Sequence, residues 1–111
     1  MKVLDLNFPT CPIRNVLSRF SDKWSLLIMC SIQANGKLRY KEVRNCVPDI
    51  SHKMLTVSLK KLEEDHLILR KAYAEIPPRV EYSLTEMGES LMPAIQLLIE
   101  WSLAHFEAVT K

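Results

Sequence analysis

Ser51-His-Lys-Met-Leu-Thr-Val-Ser-Leu-Lys-Lys-Leu-Glu-Glu-Asp65 is the stretch that decides how this chain folds. At about 100° per residue, Leu55, Leu59 and Leu62 cluster on one side of a helix, and Lys53, Val57, Lys60 and Glu64 fall opposite them. Ser51 can cap this helix over about 51–65, because its hydroxyl accepts a free amide of the first turn. The outer side then carries His52, Lys53, Thr56 and Val57 near its N-terminal end. Lysine donates to guanine acceptors, threonine bonds either way or touches a thymine methyl, and valine offers the same apolar contact. Residues of the first turns are those a helix brings to base edges in a major groove, which leaves Lys60 and Lys61 for phosphates. The competing reading is an ordinary solvated face with surface lysines, and the neighbouring elements weigh against it.

Immediately upstream, Tyr40 to Val47 reads as a short helix that Pro48 interrupts, with a tight turn over 48–50. Short helix, turn and longer helix is the outcome. Farther back, Asp22 is a good N-cap for a helix through about Ala34, with Trp24, Leu27, Ile28 and Ile32 as its apolar face and Asn35-Gly36 as its end. Pro12 suits the first position of a helix capped by Cys11, and Ile13, Val16, Leu17 and Phe20 recur at helical spacing over 12–20.

Downstream the period changes towards two. Val80, Tyr82 and Leu84 share one strand face, while Arg79, Glu81 and Ser83 share the other. With Ile68 to Ala74 as partner and Glu75 to Pro78 as connection, a two-stranded hairpin is expected over about 68–84. Such a hairpin beside a reading helix reaches the backbone or the adjacent minor groove, with Lys71 and Arg79 as its contacts. Thr85 then caps a last helix over about 86–109, where Pro93 should force a kink or a restart. Its apolar surface is wider than one partner requires. Leu98, Trp101, Leu103 and Phe106 form either a dimer seam with the first helix or intramolecular packing, and the seam is favoured. The class is therefore mainly α with a two-stranded β wing, a winged helix-turn-helix dimerising through its terminal helices.

A chain of 111 residues, 48% hydrophobic and 25% charged, has the size of one compact domain, so a single domain is expected over 1–111. The longest apolar run, Leu26 to Cys30, is far too short to span a bilayer. Asp5 and Asn7 break the apolar start, so no secretory signal is recognised and the cytoplasm is the expected place. Charge is unevenly spread: residues 1–35 carry a net +2, residues 36–80 a net +4 and residues 81–111 a net −4. A basic middle beside an acidic end suits a polyanion-binding surface joined to an element with another task.

Cys11, Cys30 and Cys46 are odd in number and form no CxxC pair, which speaks against a disulfide framework and a zinc knuckle. Cys11 stands out because a helix N-terminus favours the reactive thiolate, with Arg14 a possible aid; the alternative is an unreactive small hydrophobe. Cys30 and Cys46 are read as packing residues. His52, His66 and His105 show no metal-ligand spacing, so neither metal nor cofactor is expected. No nucleophile with a base and no phosphate loop appears, so the chain is not read as an enzyme. A protein-interaction module built on the same scaffold remains the alternative to a DNA-binding one.

Ile50 to Arg70, ISHKMLTVSLKKLEEDHLILR, followed by Pro77 to Leu91, PPRVEYSLTEMGESL, resembles the signature of the HxlR family, and Cys11-Pro12 and Lys23-Trp24 match its usual opening. The resemblance extends from Cys11 to Trp101. It implies a MarR-like winged helix, a homodimer through the terminal helices, and bacterial-type control of transcription from near-palindromic operators. It also implies that Cys11 is a candidate sensor of oxidants or reactive carbonyl compounds, since some members use a cysteine before this proline. Ser21-Asp22 stands where a Gly-Gly pair is common, and His66 stands where glycine commonly follows the reading helix.

Overall fold

A computed structural model describes Asn7 and residues 10–111; the opening residues Met1 to Leu6, on which the signal reading partly falls, lie outside the described residues. Eight elements follow in order: α1 (Pro12–Phe20), α2 (Ser25–Asn35), β1 (Lys37–Arg39), α3 (Tyr40–Cys46), α4 (His52–Glu64), β2 (Ile68–Tyr73), β3 (Arg79–Leu84) and α5 (Glu86–Thr110). The class read from the sequence, mainly α with a β wing, is the observed one.

α2 lies at the centre and packs against α3, α4, α5 and the sheet. Its buried residues Ser25, Ile28, Met29 and Ile32 recur at helical spacing. Leu27, expected on that face, is exposed, and Met29 takes its place in the core. At about 100° per residue, Met29 lies about 60° from Ile32 on the wheel and Leu27 about 140° from it. Residues 22–24 form a turn, and the helix opens at Ser25 rather than directly after Asp22. Asp22 nevertheless does the work of a cap, because its Oδ2 accepts the amides of Trp24 and Ser25 at 3.1 Å each and its Oδ1 accepts the Ser25 hydroxyl. Partial burial disfavours its charge, but these bonds and the nearby Lys61 outweigh that cost and hold the carboxyl below its ordinary range.

The sheet has three strands, not the two of the wing alone. β1 pairs antiparallel with β3, which pairs with β2, in the order β1-β3-β2. Leu38 on β1 is buried opposite Tyr82 on β3. Arg39 to Tyr40 passes directly from strand to helix, so the sheet fixes where α3 starts.

α4 ends in a left-handed residue. His66 has φ 62°, the region that favours glycine. The Leu67 amide donates to the Leu62 carbonyl and the His66 amide to the Glu63 carbonyl, each at 3.0 Å, which is the Schellman arrangement. Thr85 joins this turn to α5: its hydroxyl donates to the His66 carbonyl at 2.6 Å and accepts the Gly88 amide at 3.0 Å. α5 then runs unbroken through Pro93, contrary to the expected restart. Pro93 is exposed, so its ring meets no neighbouring element, and the helix crosses it one amide short.

Candidate nucleic-acid interface

α3, the turn over 47–51 and α4 form the helix-turn-helix. The Glu42 carboxylate accepts the Arg39 amide at 2.8 Å at the start of α3, and the Ser51 hydroxyl accepts the Met54 amide at 3.1 Å at the start of α4. Leu55, Ser58, Leu59 and Leu62 of α4 are buried. His52, Lys53, Thr56, Val57 and Lys60 are exposed, with Val57 about half accessible at 51%. An exposed valine between cations on a helix is a surface that has apolar contact to offer.

Lys61 stands apart from these. It is half-buried, and its Nζ donates to the Ser18 carbonyl at the end of α1 at 3.2 Å. The structure thus places the Lys61 ammonium, read from the sequence as a phosphate contact like Lys60, against the end of α1.

In the wing, Lys71 is exposed and its Nζ lies 5.0 Å from the Tyr73 ring centroid. Arg79 is more constrained. Its guanidinium carbon sits 3.8 Å over the same ring, and its Nη2 pairs with Glu75 at 3.2 Å. Two residues that sequence reasoning left out also belong to this region. Tyr40 and Arg70 line, with Thr56, Lys60 and Tyr82, a cleft of about 480 Å³ between α4 and the base of the wing. Arg70 could have been found from its place in the basic strand; Tyr40 carried no sequence signal.

Cys11 sits at the N-cap of α1, where its Sγ accepts the Arg14 amide at 3.4 Å, and it has no exposed surface. Cys30 is half-buried, and burial pushes its thiol up. Cys46 is exposed at the end of α3 and does not serve packing as expected. Among the described residues no group of three or more His, Cys, Asp and Glu side chains could hold a metal ion.

The apolar side chains of α5 are only partly used. Met92 and Ile95 are buried, whereas Leu98, Trp101, Leu103 and Phe106 are exposed, as are Ile13, Val16 and Leu17 of α1. Residues 100–111 are exposed throughout.

A helix-turn-helix with a free cationic face, a wing and a long terminal helix matches one family model, HxlR-like helix-turn-helix, over residues 19–110. The chain belongs to the HxlR family. Among its relatives, an uncharacterized HTH-type transcriptional regulator, YdeP of Bacillus subtilis, is 36% identical over 105 residues, covering 95% of this chain and 81% of its own. The reduced form of HypR, described as a redox regulator, superposes with a TM-score of 0.84 at 34% identity, covering 89% of this chain and 97% of its own. A putative MarR-family transcriptional regulator from Porphyromonas gingivalis superposes with a TM-score of 0.79 at 41% identity, covering 93% of this chain and 97% of its own. Membership in the HxlR family makes this chain a transcriptional regulator of helix-turn-helix type.

Proposed function

We propose that the chain binds double-stranded DNA sequence-specifically as a homodimer, with α4 of each protomer in successive major grooves of a near-palindromic operator. The observation that carries this reading is the free side of α4, where His52, Lys53, Thr56, Val57 and Lys60 are exposed together while the opposite side is sealed in the core. Lys60 and Lys71 supply phosphate contacts, with Arg79 completing the wing. Lys61 contributes field rather than contact, since its ammonium is occupied by Ser18.

The exposed apolar residues of α5 and α1 support the homodimer, because a monomer would leave Leu98, Trp101, Leu103 and Phe106 in water. No helix among the described residues is long and apolar enough to cross a membrane; the cytoplasm, where DNA is reached directly, is the place proposed. The likeness to a redox regulator and the capping position of Cys11 support a response to oxidants or reactive electrophiles through that thiol.

Selection of bound fragments from random duplex DNA by the full chain tests the reading. Enrichment of a two-fold-related site with half-sites about one helical turn apart is expected, and recovery without sequence preference overturns it. Repeating the selection after oxidant or aldehyde, with Cys11→Ser as control, tests the sensing role.

A further inference from the structure

The Tyr40 hydroxyl, at the start of α3, meets three polar atoms of α4. It lies 3.1 Å from the His52 carbonyl oxygen, 3.2 Å from His52 Nδ1 and 3.3 Å from Thr56 Oγ1. The phenol ring is parallel to the imidazole, with 6° between planes and centroids 6.0 Å apart. A phenol has one proton to give and two lone pairs with which to receive. The carbonyl can only accept, so the single phenolic proton goes there. Both remaining contacts are then donated to the phenol, one by Nδ1–H of His52 and one by the hydroxyl of Thr56. All three contacts are satisfied together only in this arrangement.

This distribution of protons fixes what the two exposed side chains have left. In its neutral form His52, protonated on Nδ1, keeps a lone pair on Nε2. Thr56, its proton committed to Tyr40, keeps only accepting lone pairs. In the major groove the donors are the amino groups of adenine and cytosine, whereas guanine N7 and O6 and thymine O4 accept. We infer that Tyr40 is a positioning residue that determines specificity. Its hydroxyl sets His52 and Thr56 as hydrogen-bond acceptors and so directs the first turns of α4 to the amino-bearing edges of adenine or cytosine. The inference rests on the proposal that α4 reads bases in the major groove.

Tyr40→Phe keeps the stacked ring and removes only the hydroxyl. Full-length wild type and Y40F are compared at pH 8, where a free imidazole is neutral. Two readouts are taken: selection from random duplex DNA, and the histidine tautomer of the DNA-free protein by long-range proton–nitrogen NMR. Wild type is expected to enrich adenine or cytosine at the positions facing His52 and Thr56 and to show His52 protonated on Nδ1. In Y40F those preferences fall by about fivefold, the size of one good base contact. The positions facing Lys53 and the salt slope of binding to a random duplex stay as they were. Thr56→Val, which removes the second acceptor and keeps the phenol's two contacts with His52, should relax one of the two positions alone and stands in if Y40F does not fold. Identical base preferences in wild type and both variants, or His52 protonated on Nε2 in wild type, overturn the inference while α4 still reads DNA. A wild type without any sequence preference overturns the base-reading proposal and the inference with it.

Discussion

Arg19 Nη1 lies 3.1 Å from Asp65 Oδ1, tying the last turn of α1 to the C-cap of α4. The carboxylate is largely buried at 16% exposure, whereas the guanidinium is half exposed at 50%. The pair is therefore worth more to Asp65 than an open surface pair would be, and Lys61 on Ser18 makes a second tie between the same two helices.

Arg19→Ala should lower unfolding free energy by about 1 kcal/mol, the upper end for partly exposed pairs. Asp65→Ala in that background should add less than it does alone, because the shared contact is already gone. Urea titrations of the four proteins check this, and strictly additive losses would show that the pair contributes nothing.

Asp22→Ala removes the acceptor for two amides and a hydroxyl at the start of α2, at an expected loss of about 1 kcal/mol near neutral pH. The folded carboxyl sits below its ordinary value of 3.8, so the unfolded chain takes up its proton first as pH falls. The contribution is fully present above that value and disappears as pH drops through the lower folded one. Urea midpoints of wild type and variant should thus lie apart at pH 7 and converge only as pH falls below 3.8; a constant gap would assign the loss to something other than the charge.

Gly88→Ala meets backbone rather than space. A Cβ there would stand 2.1 Å from the Leu67 carbonyl oxygen, where α5 docks on the turn after α4. Either α5 or the turn must move, and a loss of about 3 kcal/mol or more is expected, at or beyond the upper end for overpacking. Thermal unfolding of G88A measures it, and a variant as stable as wild type would mean that the docking is looser than described.

Asp22 was readable as a cap from the sequence, whereas the Arg19–Asp65 pair and the docking at Gly88 mark where the sequence stops being informative. The spacing of Leu55, Leu59 and Leu62 and the alternation from Val80 to Leu84 were readable because helix and strand periods are local. β1 escaped because three residues, Lys37 to Arg39, show no period, and only pairing with β3 makes them a strand. The wheel of α4 set Lys60 on the outer side but could not show what Lys61 meets, since its partner Ser18 lies 43 residues away. Arg79 was legible as a cation but not as one held by Tyr73 and Glu75 across its own hairpin. Tyr40 was unreadable for the same reason, its partners lying 12 and 16 residues on.

Lys53→Ala should flatten discrimination among operator variants, because Lys53 is exposed in the first turns of α4. Lys60→Ala should weaken all sequences alike and reduce the salt slope by about one unit. Binding isotherms across salt on matched and mismatched duplexes separate the two effects, and equal behaviour of both variants would contradict the division.

Trp101→Glu, with its exposed indole stacked on His105 at 4.4 Å, places a charge on the apolar stripe of α5. A shift to monomer in sedimentation is expected, together with weaker operator binding. Unchanged mass would direct the search for the dimer contact elsewhere.

Cys11 has no accessible surface and its sulfur accepts an amide of the first turn of α1, so a reagent meets it only after a local opening. The rate at which any electrophile marks it is then a clock for that opening multiplied by the thiol's own chemistry. A modified sulfur that no longer fits would hold the turn open, converting a transient excursion of the backbone into a lasting one.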